Sequence, residues 1–209
     1  MDRNALFNAL ADELGPKGFS TDRDTIAAWT TDWRGVVHGS AAAMLSPAST
    51  EEVAFAVRQC RAAGVPLTLQ GGNSGMAAGA TPDPGGKGLL LSLRRMNQIR
   101  AVDVESRLMT VEAGVILAHA HDAAEESALR FPLTLGGKGS ATIGGLVSTN
   151  AGGTQVLRHG TMRALVAGLE IVLADGARLD LMSPLAKDNQ GPDLKQLFIG
   201  AEGTLGIVT

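Results

Sequence analysis

Cysteine, aromatic residues and long apolar runs are all scarce in this sequence. Its one cysteine among 209 residues, Cys60, excludes an intrachain disulfide. Tyrosine is absent, and two Trp and five Phe are too few for an aromatic stacking platform. No stretch approaches the roughly 18 apolar residues of a membrane-spanning helix. The net charge of −3 argues against a general nucleic-acid binder, which usually carries a basic face.

The N-terminal residues also lack the features of a secretory signal. They are typical of a short amphipathic helix and carry Asp2, Asp12 and Glu13, without a basic start or an apolar core. The single thiol fits a reducing compartment. We therefore expect a cytoplasmic protein, or one that is peripheral to a membrane through a partner.

Glycine is abundant. It accounts for 27 of the 209 residues, about 13%, whereas the average in proteins is roughly 7%. Two glycine-rich loops, at 70–80 and 136–153, have almost no charge, since 70–80 and 139–157 contain no charged side chain. Their backbone N–H groups can hold an anion by dipoles alone. One such loop alone would most simply be a turn. Two of them favour a large cofactor that carries phosphate.

The common nucleotide motifs are not complete here. A P-loop needs Ser or Thr after Gly-Lys, but Gly88 and Gly139 stand at those positions. The dinucleotide fingerprint needs a third glycine where Leu91 and Thr142 occur. A Rossmann domain for nicotinamide is therefore disfavoured.

Hydrophobic patterns predict a mixture of helices and strands. A βαβ unit is predicted over 41–70, with a helix that begins after Ser49 and ends at Gly64. Closely spaced strands at 89–96, 99–105 and 108–115 suggest antiparallel neighbours. The remaining predictions are a helix at 116–129, a hairpin at 164–182 with Asp175-Gly176 as its two-residue turn, a short helix at 193–200 and a strand that begins near 204. Because the chain ends within an apolar strand pattern, we expect a fragment of a longer protein.

Four segments, in this order, resemble the flavin domain of the vanillyl-alcohol-oxidase superfamily. They are QGGNSGMAAGA, PLTLGGKGSATIGGLVSTNAGG, LEIVLADG and KDNQGPDLKQLFIGAEGTLGIVT. The branch that they resemble most is the group of D-2-hydroxyglutarate, D-lactate and glycolate dehydrogenases, and the similarity runs from about Thr31 to the end.

The resemblance implies an α+β fold of the FAD-binding PCMH type. Its first subdomain, residues 1–103, would contain the N-terminal helical segment and the βαβ unit. The second, residues 104–209, would be a mixed or antiparallel sheet with helices, and FAD would lie between the two. The C-terminal substrate or cap domain would be absent from this chain.

The resemblance also implies which residues contact FAD. The first loop and the second loop would follow the pyrophosphate, and the last segment would lie near the adenosine and ribityl portions. The residues concerned are Gly71, Gly72, Asn73, Ser74, Gly75, Pro132, Leu133, Gly139, Ser140, Ile143, Gly144, Gly145, Asn150, Gly152, Gly153, Glu202, Gly203 and Ile207.

Asn73 stands where covalently flavinylated relatives often carry a histidine, so the resemblance implies noncovalent FAD. It further implies that a 2-hydroxy acid passes its Cα hydride to the flavin. Electrons would then go to a quinone, a cytochrome or an electron-transfer flavoprotein. The base, the metal ligands and the arginine for the substrate carboxylate are expected in the missing domain, so the fragment is expected to hold FAD weakly and to have no turnover.

Two alternatives stay open from the sequence. One is a module that binds another nucleotide or phosphometabolite without flavin, and the other is a flavin oxidase or carbohydrate dehydrogenase with a different cap.

Several polar side chains are not expected to form a site. The pair His119 and His121 is typical of a solvated helix, and His159 of a surface loop. Lys138 has two interpretations that the sequence does not separate: its charge offsets that of a phosphate, or its side chain points outward. We expect the acidic set of Asp22, Asp24 and Asp32, and the pair Arg94 and Arg95, to face solvent. The sequence identifies no partner for His38. Asp175 is expected to be a turn residue.

Overall fold

The computed structural model of the protein describes residues 2–183, 185 and 189–209. Lys187 and Asp188, at the start of the fourth resembling segment, lie outside the described residues. The helices are α1 Arg3–Gly18, α2 Arg23–Ala27, α3 Thr50–Ala63, α4 Leu117–Glu126, α5 Ile143–Ser148, α6 Val156–His159, α7 Met162–Leu165 and α8 Lys195–Phe198. The strands are β1 Phe19–Ser20, β2 Met44–Leu45, β3 Leu67–Gln70, β4 Leu89–Ser92, β5 Ile99–Asp103, β6 Leu108–Val111, β7 Leu169–Val172, β8 Arg178–Leu181 and β9 Ile207–Val208.

The first sheet has the order β1-β2-β4-β3, in which β1 is antiparallel and the other three strands are parallel. The helix α3 connects β2 to β3, which confirms the predicted βαβ unit. It begins at Ser49, whose side chain accepts from the N–H of Glu52, and ends at Gly64 with φ 65°. Its apolar face packs on the sheet, because Val53, Ala56 and Cys60 recur at helical spacing and are buried.

The prediction for residues 89–96 was wrong about the strand partner. β4 is parallel and inserts between β2 and β3, rather than forming an antiparallel pair with the strand that follows it. It is one of the two interior strands of this sheet, and all four of its residues are buried. Arg94 and Arg95, expected to face solvent, are half-buried; Arg94 stacks over the Trp29 ring at 4.6 Å and Arg95 donates to the Ser46 carbonyl.

The rest of the chain forms antiparallel structure. β5 and β6 are a hairpin, as predicted, and the third sheet has the order β8-β7-β9. Asp175 and Gly176 do lie in the turn between β7 and β8, but the turn is longer than two residues. Leu173 bonds to Ala177 across it, and Gly176 has φ 79°, the left-handed conformation that closes a longer hairpin loop.

The buried side chains form two large clusters and a small one. The first large cluster joins α1, α3 and the parallel sheet, and the second joins α4, α5 and the third sheet. Three residues from the later part of the chain, Ala113, Val172 and Ile207, belong to the first cluster, so the two clusters share an interface. The α+β class is therefore confirmed.

The proposed division at residue 103 falls inside the β5–β6 hairpin. Ile99 of β5 packs against the second cluster, as do Met109 and Val111 of β6. We therefore propose that the boundary lies just before Ile99, where Asn97 and Gln98 are exposed.

No helix among the described residues is long and apolar enough to cross a membrane.

Candidate functional site

The two glycine loops meet directly, although about seventy positions separate them along the chain. A Cβ added to Gly71 would lie 2.3 Å from the hydroxyl of Thr142, and one added to Gly72 would lie 1.7 Å from the carbonyl of Ser140. A larger residue at Gly72 would have to move the backbone of the second loop, and one at Gly71 would have to displace the Thr142 side chain. Further along, Gly137 approaches Ser74, since a Cβ there would lie 3.6 Å from that of Ser74. Glycine at these positions therefore brings the two loops into contact.

Free hydrogen-bond donors border this contact. Within the described part of the chain, the backbone N–H groups of 72–77 and 136–139 donate to no protein acceptor. They lie on half-buried or exposed backbone, so a ligand can reach them. Residues 70–80 contain no charged side chain, and Lys138 is the sole charge of 136–139. This donor set suits the oxygens of a diphosphate.

A third segment, residues 200–203, completes the arrangement. Glu202 donates its N–H to the carbonyl of Ser148 at 2.8 Å, and Gly203 packs so closely on Leu69 that a Cβ would lie 2.5 Å from it. A Cβ on Gly79, in the first loop, would lie 3.2 Å from the Glu202 carboxylate. The last segment is thus adjacent to the first loop and to the end of α5.

Three predicted site residues adopt the left-handed backbone conformation that favours glycine. They are Asn73, Asn150 and Glu202, with φ of 49°, 48° and 52°. Asn tolerates this region because its short side chain hydrogen-bonds locally, whereas Glu seldom adopts it. The side-chain amide of Asn73 donates to the backbone carbonyl of Thr31, and the side-chain oxygen of Asn150 accepts from the backbone N–H of Arg163. Such outliers cluster at functional sites more than elsewhere.

Not every predicted contact residue offers its backbone to a ligand. The N–H groups of Ile143, Gly144 and Gly145 bond to Val115, Ala113 and the Thr142 hydroxyl. Gly144 also packs on Ala113, because a Cβ would lie 2.6 Å from the Ala113 Cβ. The start of α5 therefore supports the second loop from behind, and the free donors lie earlier, at 136–139.

The remaining predicted residues lie around this centre. Leu133 is buried in the second cluster, and Pro132 is half-buried beside it. Gly153 packs against the Thr134 carbonyl, and Gly152 is exposed. Ile207 is buried in β9 within the first cluster. Ser140 and Gly139 are exposed on the second loop, and Gly75 on the first. Contact of these residues with FAD stays a prediction.

The histidines and Lys138 have distinct environments. His119 is exposed, as predicted, but His121 is half-buried, with its Nε2 2.8 Å from the Leu133 carbonyl. The expectation of a solvated His121 was therefore wrong, because α4 packs against the segment that leads into the second loop. His159 ends the short helix α6. Lys138 is exposed. The described residues contain no group of His, Cys, Asp or Glu that could hold a metal ion.

Asp32 also differs from expectation, and His38 has a partner that the sequence did not identify. Asp32 is buried and accepts from the N–H groups of Val36 and Val37, both at 2.7 Å, and from Arg34. The pKa of Asp32 is held below its usual value, mainly by the hydrogen bond from the Val37 N–H. Desolvation acts in the opposite direction, and the bonds from Val36 and Arg34 lower the pKa further. His38 has a partner, the Thr31 hydroxyl at 3.1 Å. Only Asp22 and Asp24 of the acidic set are exposed.

A cavity of about 410 Å³ lies elsewhere, inside the second cluster. Its lining is mostly apolar and comes from β6, α4, α5 and β7, with Arg100, Arg107 and Arg130 among its residues. None of the free donors at 72–77 and 136–139 lines it. The contact between the loops is therefore the better diphosphate site.

These features define an α+β domain with uncharged backbone donors arranged as a phosphate-bearing cofactor requires. Residues 41–181 match the family described as an FAD binding domain, and the chain belongs to that family. The residues present fit FAD, because the two loops supply adjacent, uncharged backbone donors for its diphosphate. The alternative of a module that does not bind flavin is thereby set aside.

Named relatives extend the similarity over nearly the whole chain. The D-2-hydroxyglutarate dehydrogenase of Bos taurus is 43% identical over 96% of the chain, which spans 37% of that protein. The Danio rerio protein of the same name is 46% identical over 90% of the chain, and the match covers 35% of that protein. The chain thus covers little more than a third of these relatives. Alkyldihydroxyacetonephosphate synthase shares the fold, with a TM-score of 0.86 and 21% identity over the whole chain, which covers 43% of that structure.

The expectation of a cytoplasmic protein is contradicted by these relatives. Both dehydrogenases are named as mitochondrial proteins. The single cysteine and the acidic N-terminal residues were weak indicators, because neither reports an organelle directly.

Two functional features escaped the sequence analysis. Gln70 ends β3, and its buried amide donates to the carbonyls of Trp29 and Ala80, at 2.9 Å each. Arg163 donates to Gln196 and to the Ile199 carbonyl, and so attaches α7 to the segment before Gly200. A polar residue at the end of a predicted strand was the available signal for Gln70, whereas Arg163 carried none.

Proposed function

We propose that this chain is the FAD-binding part of a flavin-dependent dehydrogenase that acts on D-2-hydroxy acids. The observation that carries the proposal is the identity of 43% and 46% to two D-2-hydroxyglutarate dehydrogenases over at least nine tenths of the chain. A compound of the D-2-hydroxyglutarate type is therefore the first substrate to test. In this family assignment the flavin, when bound, accepts the hydride from the substrate Cα.

The chain's own contribution is to bind and orient the cofactor. The N–H groups of 72–77 and 136–139 would hold the diphosphate, and the 200–203 segment would lie beside it. The donors are fixed in place by the packing of Gly71 and Gly72 on the second loop, so that little rearrangement is needed on binding.

The remaining steps belong to the longer protein in this proposal. The two glycine loops contain no arginine for a substrate carboxylate. Recognition of the 2-hydroxy acid, removal of its hydroxyl proton and transfer of electrons to a quinone, a cytochrome or an electron-transfer flavoprotein would use residues beyond this chain. We accordingly expect this chain to bind FAD and to show no turnover.

Thermal shift with a series of ligands tests the cofactor assignment. FAD and ADP both contain a diphosphate and should raise the melting temperature, whereas FMN and riboflavin should have little effect. At a hundredfold excess over Kd, a ligand stabilises the folded state by about 2.7 kcal/mol. No shift with either FAD or ADP would contradict the proposed site.

Turnover is tested separately, with reduction of a dye by D-2-hydroxyglutarate. The relevant comparison is between the FAD-saturated 209-residue chain and a full-length protein that contains it. We expect activity from the full-length protein alone. Dye reduction by the 209-residue chain would show that the catalytic groups lie within it, and activity of the full-length protein on carbohydrates but not on 2-hydroxy acids would overturn the substrate class.

A further inference from the structure

We propose that residues 29–40, here called the N-terminal clamp, are a positioning element that holds the first glycine loop in its FAD-binding conformation, with Gln70 as the main positioning residue. The clamp precedes the part of the chain that matches the FAD binding domain family, which begins at residue 41. The proposal rests on FAD binding at the two loops and adds to it a role for a segment outside the matched region.

Gln70 joins three parts of the chain through one side chain. Its Nε2 donates to the carbonyl of Trp29, in the clamp, and to the carbonyl of Ala80, at the far end of the loop that Gln70 itself begins. The residue is 2% exposed. Its Oε1 has no partner among the described residues, so the burial of this amide is only partly compensated. An apolar side chain would suit this place better if packing were its only role.

The clamp touches the loop at two further points. Asn73, near the start of the loop, donates its side-chain amide to the Thr31 carbonyl at 2.8 Å. After the loop, Ser40 donates its N–H to the carbonyl of Asp83, and a Cβ on Gly39 would lie 2.0 Å from the Pro82 carbonyl. The clamp therefore holds the start of the loop, its end and the residues that follow.

The clamp is itself well fixed. Asp32 accepts two N–H groups across its turn, and Thr31 pairs with His38 in an antiparallel bridge. Trp29 packs with the buried Ile26 and Met44 and lies under the Arg94 guanidinium. These contacts anchor the clamp to the parallel sheet, so it can serve as a support for the loop.

The loop needs such a support, because little within it fixes its backbone. The N–H groups of 72–77 donate to no described protein acceptor, and no helix or strand lies between Gln70 and Leu89. A loop that had to be ordered by the ligand would lose affinity through the entropy cost of that ordering. The clamp removes this cost in advance.

Two substitutions outside the expected FAD contacts test the clamp. Gln70→Met keeps the side-chain length and removes the amide, and Gly39→Ala pushes the clamp away from Pro82. The matched control is Gln98→Met, since Gln98 is exposed and its side chain has no hydrogen bond among the described residues. The FAD Kd, from quenching of flavin fluorescence well below each melting temperature, and the NMR backbone order parameters of 71–80 without FAD are both measured.

We expect both test variants to raise the Kd about tenfold and to lower the order parameters of 71–80, while the control changes neither. A purely structural role for Gln70 would lower the melting temperature and leave the Kd of the folded protein unchanged, which would overturn the proposal. Should Gln70→Met fail to fold, Gly39→Ala decides alone. If the unsubstituted chain does not bind FAD, the FAD-binding site fails as a proposal, and unchanged order parameters of 71–80 in the variants separately refute the clamp.

Discussion

Glycines in the two loops serve two physical purposes at the scale of the residue, and substitution separates them. Gly144 is a packing glycine, because a Cβ there would lie 2.6 Å from the Ala113 Cβ and 3.0 Å from its carbonyl oxygen. Gly139 lies in the open, with no atom within 4 Å of an added Cβ. We expect Gly144→Ala to destabilise the protein by roughly 1–3 kcal/mol through overpacking.

Urea unfolding without FAD measures this difference. The matched substitution Gly139→Ala should change the free energy of unfolding by no more than about 0.5 kcal/mol, since it meets no neighbour. Equal destabilisation by the two substitutions would show that contact with Ala113 is not what requires glycine at position 144.

Asn73 leads to a prediction about how FAD is held. A carboxamide cannot form the bond that a histidine forms with the flavin, and the Asn73 amide is engaged with the Thr31 carbonyl. The other nucleophile to consider, Cys60, is 1% exposed, and burial raises the pKa of its thiol to about 11. The reactive thiolate is therefore scarce at neutral pH. We expect all FAD to leave the protein on denaturation.

Intact mass spectrometry of the FAD-saturated protein after denaturation checks this. The chain should have its unmodified mass, and all of the flavin should pass a size-exclusion filter. A mass increase by one flavin nucleotide would contradict the prediction, and fragmentation would then identify the attachment residue.

At the scale of the element, the clamp should respond to pH through Asp32. Its two backbone hydrogen bonds favour the charged carboxylate, so its pKa is lower in the folded state than in the unfolded state. A group of this kind stabilises the fold above its unfolded pKa of about 3.9, and the contribution is lost as pH falls through the folded value. We expect Asp32→Asn to be less stable than the unsubstituted protein at neutral pH, with the gap closing below about pH 4.

Chemical denaturation at several pH values measures that gap. Asp24→Asn is the control, because Asp24 is exposed and is expected to change stability little at any pH. A gap for Asp32→Asn that stays constant from neutral to acidic pH would mean that the charge of Asp32 does not stabilise the clamp.

Elements that depend on local signals could be predicted from the sequence, and those that depend on distant partners could not. The helix α3 was bounded correctly because Ser49, Glu52 and Gly64 carry its start and stop signals next to it. The strand β4 was recognised as a strand but given the wrong neighbours. Its pairing with β2 and β3 depends on a parallel sheet assembled from residues more than twenty positions away, which no local pattern reports.

The site shows the same division. Glycine clusters and missing charge located both loops, since those features lie within each loop. The clamp was not predicted, because its contacts use the backbone carbonyls of Trp29 and Thr31, and any residue type supplies a carbonyl. Asp32 was taken as solvated for a similar reason: the N–H groups that donate to its carboxylate are brought together only by the turn.

At the scale of the whole molecule, the lobes that carry the two loops are joined by more than the cofactor site. Thr50 on α3 donates to Glu170 on β7, and Arg58 on the same helix donates to the Gly176 carbonyl. Val172 and Ile207 extend the first cluster from the other side. This shared interface keeps the loops in register before FAD binds.

The charge distribution of the molecule leads to a prediction about salt. FAD is anionic and the chain has a net charge of −3, so general attraction does not draw the cofactor in. The donors at 72–77 and 136–139 are neutral, and screening acts mainly on interactions between charges. Binding through these dipoles should therefore be nearly independent of ionic strength. We expect the FAD Kd to change by less than about threefold between about 0.05 and 0.5 M NaCl.

Lys138→Met removes the one cation of the two loops. Because Lys138 is exposed, the substitution should also leave the FAD Kd within about twofold of its original value. A tenfold weakening in high salt that disappears in Lys138→Met would show that this lysine, rather than the uncharged backbone, holds the phosphates.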